Sequence, residues 1–255
     1  MNDTIAKQLD HRTIREFKNE PIPQETIALL MEVARRTATS SNTQAVSIIH
    51  ITDPKIKHQI SAISNQEYVA RAPLLLIFIV DQYRNHQIAL EQGVISNGAA
   101  GMDGFFQSYT DACLMAQNVV TAAESMDYGT LFLGSILNDS AALTKLLDLP
   151  QLTFPVLGLA IGIPNQNPDL KPRMPMALRL FENRYVRFDH YLAQLKEYDE
   201  LMQSYYDLRD TNRRVDSFSL QVAKKAVNPS LRRAEIMNII RAQGFDFKLK
   251  PSEEK

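Results

Sequence analysis

Two clusters of basic residues are the parts of this sequence best suited to bind an anion. The first is His11-Arg12-Thr13-Ile14-Arg15, in which one hydroxyl lies among three basic side chains. The second is Lys171-Pro172-Arg173, in which a proline stiffens the backbone between two cations. A phosphate monoester carries close to two negative charges, and guanidinium groups offer it charge-assisted hydrogen bonds in a fixed fork. The clusters could converge on one phosphate, although a basic triplet taken alone more often forms ordinary surface ion pairs.

The composition restricts the other kinds of chemistry. The 255 residues include 28 basic and 29 acidic side chains, so no overall field favours nucleic acid or an anionic membrane. Cys113 is the single cysteine, which excludes an intramolecular disulfide and favours a buried structural thiol. The remaining histidines lack carboxylates or thiols at ligand spacing, so no metal site is predicted. With a polar N-terminus and no membrane-length apolar run, we expect a cytoplasmic protein.

Apolar patterning predicts the elements that must position these clusters. The predicted helices cover 4–11, 23–36, 56–64 and 111–126, and the predicted strands cover 46–51, 74–80, 132–133 and 156–162. Residues 37–44 and the glycine-rich segment 93–104 are predicted to be loops, and the chain beyond Tyr185 is predicted to be helical and highly charged. The mixed order of elements favours an α+β sheet covered by helices, and no Gly-x-Gly-x-x-Gly follows a first strand.

Five motifs, in order and spacing, resemble the nitroreductase superfamily. The segment from His11 to Phe17 is similar to the H-R-S-I-R-x-F opening of that family. The segment from Asn167 to Pro175 is similar to N-P-x-x-K-P-R-x-P of its NADPH-dependent FMN reductase branch, which includes the oxygen-insensitive nitroreductases. Between them lie Thr39-Ser40-Ser41 with Gln44, the pair Asn65-Gln66, and the segment from Ala122 to Gly129. The similarity covers roughly residues 3–245, nearly the whole chain.

The resemblance implies a nitroreductase-like α+β fold, with a central, mostly antiparallel sheet flanked by helices in a domain-entwined homodimer. We expect a single domain over residues 1–255, with a flavin-binding core at about 1–190 and a C-terminal helical extension at about 191–255. The predicted helix 111–126 is apolar nearly all round, which suits a subunit interface. A buried helix of a monomer is the alternative.

The resemblance also implies a set of FMN contacts. His11, Arg12, Lys171 and Arg173 match residues around the phosphate and ribityl chain, and Arg15 matches a basic residue near the pyrimidine edge of the flavin. Thr13 replaces the usual serine and keeps its hydroxyl. The other expected contacts lie along the cofactor, at the ring and at the flavin N5 side, and they are Thr39, Ser40, Ser41, Gln66, Tyr128, Gly129 and Thr130.

The turn at the N5 side departs from the family pattern. The family commonly has Gly-Leu-Gly-Gly, whereas this sequence has Asp127-Tyr128-Gly129-Thr130. Backbone N–H groups survive these changes, so we still expect flavin binding. Asp127 and Thr130 add side chains where glycine permits close approach, so ring tilt, potential or acceptor size should differ.

The expected reductant is NADPH. Arg209 and Arg213 match a mobile arginine-bearing loop that is associated with the NADPH 2′-phosphate in this branch. A solvated helix end or loop explains these arginines equally well.

The implied activity is that of an NADPH-dependent FMN oxidoreductase, either a nitroreductase or a flavin reductase. Hydride would pass from NADPH through FMN N5 to free flavin, nitroaromatic or quinone acceptors by a ping-pong mechanism. No catalytic group is expected beyond FMN itself, with Arg15 supporting the reduced ring. The alternatives are an NADH-preferring quinone or azo reductase and a non-enzymatic flavin-binding protein.

Overall fold

The computed structural model describes residues 1–95, 97–209, 216–227 and 231–248. The chain forms two compact units, Met1–Pro168 together with Leu231–Lys255, and Asp169–Ser230. The sequence-based expectation of one domain with an extension from about residue 191 stays a prediction.

The first unit contains a four-stranded sheet in the order β1-β2-β4-β3. The strands are β1 (Val46–His50), β2 (Leu74–Asp81), β3 (Gly129–Leu133) and β4 (Thr153–Gly162). Each neighbouring pair is antiparallel, which confirms the expected type of sheet. Every residue of β2 is buried, because this aliphatic strand is covered on both faces.

Helices surround this sheet and also form the second unit. Those of the first unit are α1 (Asp3–Leu9), α2 (Gln24–Arg35), α3 (Pro54–Ser64), α4 (Gln82–Glu91), α5 (Met102–Ser125), α6 (Ser140–Leu146), α9 (Leu231–Ala234) and α10 (Ile236–Ala242). Those of the second unit are α7 (Tyr191–Arg209) and α8 (Phe218–Val227). Within the second unit, Asp199 of α7 accepts a hydrogen bond from the Ser219 backbone N–H at 2.9 Å, which fixes the start of α8.

Alternate residues of β2 supply the two faces of the core. Leu74, Leu76 and Phe78 pack with apolar residues of α2, α5 and α10. Leu75, Ile77 and Ile79 pack on the other side with residues of α3 and α6. The period-two alternation of a strand therefore joins both layers through one element.

The long helix α5 begins nine residues earlier than predicted. The predicted loop 93–104 is wrong in its last part, since α5 starts at Met102 and contains Gly104. Gln82 donates a hydrogen bond to the Gly104 carbonyl at 3.0 Å, and a Cβ at Gly104 would lie 3.1 Å from its side-chain nitrogen. Glycine is therefore present there because Gln82 packs on the helix backbone, and it does not mark a loop.

Strand β4 begins three residues earlier than predicted, because Pro155 lies inside it. The register between β2 and β4 shifts between Phe78 and Ile79, next to the position that Pro155 pairs with. A proline removes one ladder donor, and a bulge tolerates that loss.

The segment that carries the first basic cluster extends the sheet beyond its regular strands. Thr13 forms a parallel bridge with Thr130, and the Ile14 N–H donates to the Thr130 carbonyl at 3.0 Å. Further on, the Lys18 N–H donates to the Ile163 carbonyl at 2.9 Å. The backbone of residues 13–18 is thereby tied first to β3 and then to the chain that leaves β4.

Two glycines allow this segment to lie directly on the sheet. Gly129 and Gly162 are paired across β3 and β4. A Cβ at Gly129 would lie 2.7 Å from Ile14 Cγ1, and a Cβ at Gly162 would lie 2.8 Å from ring carbons of Phe17. Both separations are far below ordinary carbon contacts, so a larger residue at either position would displace the segment.

We expect Gly162→Ala to lower the free energy of unfolding by about 2 kcal/mol, because the added methyl group overpacks against Phe17. Gly134→Ala is the control, since nothing lies within 4 Å of its Cβ position, and it should change stability by less than about 0.5 kcal/mol. Urea unfolding of both variants measures the difference. Equal stability of the two variants would contradict the close contact.

Candidate functional site

The first basic cluster lines a cavity of about 300 Å³ in the first unit. Two ion pairs, Lys7 with Asp127 and Arg12 with Asp10, and a contact between His11 and Glu124 lie around it. The predicted site residues His11, Arg12, Tyr128 and Gly129 all line this cavity. The structure therefore brings the opening segment and the turn before β3 together, and their contact with FMN stays a prediction.

Arg12 retains an unused donor at this cavity. One terminal nitrogen, Nη1, donates to the Asp10 carboxylate at 2.5 Å. The Nε atom is buried and has no hydrogen-bond partner in the described part of the chain. A buried donor on a permanent cation costs free energy unless an acceptor reaches it, and an anionic oxygen is the strongest such acceptor.

His11 is held by a carboxylate that the sequence analysis did not identify. His11 Nδ1 lies 2.7 Å from Glu124 Oε1, and the Thr130 hydroxyl donates to the same oxygen at 2.5 Å. The His11 and Glu124 side chains are 32% and 13% exposed. A carboxylate can only accept, so the proton of this contact sits on His11 Nδ1. The available signal was an acid within the alanine-rich end of α5, beside a recognised motif.

The turn before β3 accommodates its departures from glycine. Asp127 has a positive φ of 64°, a left-handed conformation that aspartate tolerates better than most residues. Lys7 of α1 donates a hydrogen bond to Asp127, and this bond raises the pKa of Lys7 above its ordinary value. The first helix is therefore tied to the turn by one of the residues that replace glycine.

The predicted cofactor loop, residues 39–44, is fixed by a buried carboxylate on α5. Asp111, which is 2% exposed, accepts from the Ser40 N–H at 3.0 Å and from the Ser40 hydroxyl at 2.9 Å. The hydroxyl proton of Ser40 is therefore already engaged, so Ser40 can offer a ligand only an acceptor. Ser41 is exposed, and Thr39 lines a separate cavity of about 570 Å³.

The same loop has an unfavourable backbone conformation. Ser41, Asn42 and Gln44 have positive φ values of 50°, 56° and 49°. Such conformations cost non-glycine residues free energy and persist only where neighbours impose them. The neighbours here are α4 and α5, since Arg84 donates to the Gln44 carbonyl and Asn85 donates to the Thr43 carbonyl at 2.8 Å. The loop therefore does not need to be ordered by a ligand.

The remaining predicted residues lie elsewhere. The side-chain oxygen of Gln66 accepts from the Ser135 hydroxyl at 2.6 Å, which leaves the Gln66 NH₂ group as a donor. Arg15 is exposed on the opening segment. Lys171 and Arg173 belong to the second unit, so their convergence with His11 stays a prediction. Arg209 ends α7 with its side chain outside the described residues, and Arg213 lies wholly outside them.

Other groups are less suited to chemistry. Cys113 is half-buried on α5, and burial raises the pKa of its thiol, as suits the predicted structural role. Within residues 1–95, 97–209, 216–227 and 231–248, no three His, Cys, Asp or Glu side chains come together as a metal site. In those same ranges, none of the helices combines the length and apolar character needed to cross a bilayer.

Comparison with known proteins agrees with this geometry. The model of the nitroreductase family matches residues 9–163, and that of the nitroreductase family C-terminal domain matches residues 171–248. An NADPH-dependent oxidoreductase of Staphylococcus aureus is 37% identical over 216 residues, which cover 83% of this chain and 86% of that protein.

Two solved structures are similar over nearly their whole length. NfrA1 nitroreductase from Bacillus subtilis has a TM-score of 0.89 and 33% identity, covering 95% of this chain and 98% of that one. NADPH:FMN oxidoreductase from Vibrio harveyi, solved in complex with NAD⁺, has a TM-score of 0.84 and 31% identity, with the same coverage. The likeness extends through both units of the chain.

We expect Asp111→Ala to lower the free energy of unfolding by about 2 kcal/mol, because it leaves the Ser40 N–H without its acceptor. Asp103→Ala, at an exposed position on the same helix, should cost less than about 0.5 kcal/mol. Denaturant unfolding gives both values, and amide hydrogen exchange at Ser40 should accelerate in the first variant alone. Unchanged exchange would show that Asp111 does not hold the loop.

Proposed function

Because this chain belongs to the nitroreductase family, we propose that it is an NAD(P)H-dependent oxidoreductase that holds FMN at the cavity beside His11 and Arg12. The observation that carries the proposal is the buried, unpartnered Nε of Arg12, in the described part of the chain, next to a histidine at an open cavity. Such a site favours an anionic acceptor, and a flavin mononucleotide ends in a phosphate.

The residues present fit the two ends of this cofactor. At the phosphate end, Arg12 offers Nε and His11 offers its second ring nitrogen, and we assign Lys171 and Arg173 to the same group. At the ring, the Ser135 hydroxyl bonds to the side-chain oxygen of Gln66. The Gln66 NH₂ group takes no part in that bond and can donate to a flavin acceptor. We assign the ring and ribityl contacts to Thr13, Arg15, Thr39, Ser40, Ser41, Gln66, Tyr128, Gly129 and Thr130.

When bound at this site, FMN would supply the redox chemistry between a reduced nicotinamide and a small acceptor such as free flavin, a nitroaromatic or a quinone. The chain positions the reactants. Arg15 is exposed on a segment fixed to the sheet, so its charge can stabilise an electron-rich ring without losing a structural ion pair to a described residue. We assign the NADPH 2′-phosphate to Arg209 and Arg213, and the name of the Staphylococcus aureus relative supports NADPH as donor.

We further propose that the active protein is a cytoplasmic homodimer in which α5 packs against a second copy. The supporting observation is that Phe106 and Leu114 of α5 remain 61% and 50% exposed in the single chain. Large apolar side chains on a core helix gain stability when a second subunit covers them. The molar mass of the protein in solution tests this directly.

The purified protein should be yellow or become so with FMN, and anaerobic NADPH should bleach it. The proposal requires both results, because a flavin that cannot be reduced would indicate a flavin-binding protein without this activity. Faster bleaching by NADH than by NADPH would favour the NADH-preferring quinone or azo reductase instead. Absorbance spectra before and after each nucleotide distinguish the three outcomes, and a protein that takes up no FMN would exclude the proposal.

Two arginine and lysine variants should separate reduction from binding. We expect Arg15→Ala to slow flavin reduction by at least about tenfold while FMN affinity changes little, because its charge acts on the ring. Lys171→Ala should weaken FMN binding by about tenfold, the value of a charge-assisted phosphate contact. Lys55→Ala, at an exposed position of α3, should change neither. Stopped-flow reduction and flavin fluorescence titration provide the two readouts, and a reversed pattern would exchange the assigned roles.

A further inference from the structure

The carboxylate of Glu124 contacts both Thr130 and His11 of the opening cluster. Glu124 Oε1 lies 2.7 Å from His11 Nδ1 and accepts the Thr130 hydroxyl at 2.5 Å. Thr130 is 1% exposed, so this hydroxyl has no access to water as an alternative partner. The Thr130 hydroxyl is therefore a donor that fixes the carboxylate facing His11.

The protons on His11 follow from its partners. Because the carboxylate only accepts, His11 Nδ1 carries a proton. In a neutral ring the other nitrogen, Nε2, would then be an acceptor. It could not bond to a phosphate oxygen, which is also an acceptor. Only the doubly protonated imidazolium can donate to Glu124 and to a phosphate at the same time.

We propose that Glu124 is the positioning residue that holds His11 as a two-donor imidazolium toward the flavin phosphate, with Thr130 fixing the Glu124 carboxylate for this role. The inference rests on the proposed FMN site and adds a residue to it. The proposal assigns Glu124 no contact with the cofactor, so it acts only through His11.

The other charged groups around His11 are committed to one another. Lys7 of α1 pairs with Asp127 of the turn, and Arg12 pairs with Asp10 at the end of α1. The hydroxyl-bearing Tyr128 lines the same cavity. Among these groups Glu124 is the carboxylate in hydrogen-bond contact with His11. Removal of its charge should therefore act on His11 before it acts on the other pairs.

The consequence is an FMN affinity that depends on the Glu124 carboxylate. Without this carboxylate, His11 loses the acceptor that orients its ring, so FMN binding should weaken. Riboflavin lacks the phosphate, so its affinity should not depend on Glu124.

The test measures FMN and riboflavin affinities by quenching of flavin fluorescence near neutral pH. We expect Glu124→Gln to bind FMN about tenfold more weakly than the unmodified protein, and riboflavin equally well. Thr130→Val, which keeps the shape and removes the hydroxyl, should show a smaller effect of about threefold. Glu91→Gln, an exposed carboxylate on α4, is the charge control and should match the unmodified protein.

Nuclear magnetic resonance of the unmodified protein with ¹⁵N-labelled histidine gives an independent readout. The His11 signals are identified as those that are absent from the spectrum of the His11→Gln variant. In the FMN complex near neutral pH, both ring nitrogens of His11 should be protonated. A ring nitrogen without a proton in that complex overturns the inference, as does an FMN affinity of Glu124→Gln that equals that of the unmodified protein. If Glu124→Gln does not fold, the resonance measurement still decides. Failure of the unmodified protein to bind FMN would instead overturn the proposed function.

Discussion

The packing of Ile14 and Phe17 directly on the backbone of Gly129 and Gly162 determines where the basic cluster lies. Because the glycines face each other across β3 and β4, the opening segment rests on the end of the sheet without a side chain between. Hydrogen bonds from Ile14 and Lys18 fix its register. His11 and Arg12, just before this segment, are thereby carried to the cavity.

Charge at this cavity is balanced locally, in a chain whose net charge is −1. Lys7, Arg12 and His11 each face a carboxylate, yet Arg12 Nε and one ring nitrogen of His11 are not committed to those carboxylates. Carboxylates that hold a cation by one edge orient it and leave its other edge for a ligand. An anion site can therefore be built here without an unpaired cluster of positive charge.

Local sequence patterns located the strands of the sheet, but they did not reveal the partners that hold the candidate site residues. The apolar run of β2 and the motif around His11 were evident from local patterns. Asp111 and Glu124 were missed because each acts on a residue at least 71 positions away, and no local period encodes such a contact. The start of α5 was predicted wrongly for the same reason. Gly104 is explained by its contact with Gln82 and not by its neighbours in the sequence.

The contact between the opening segment and the sheet also has a consequence for the order of synthesis. The ribosome makes His11 and Arg12 well before Gly162 and Pro164, on which their segment rests. Until those residues have emerged, the nascent chain carries its basic cluster with no surface to receive it. The basic cluster is thus made early, and the backbone that supports its segment is complete only after Pro164 has been added.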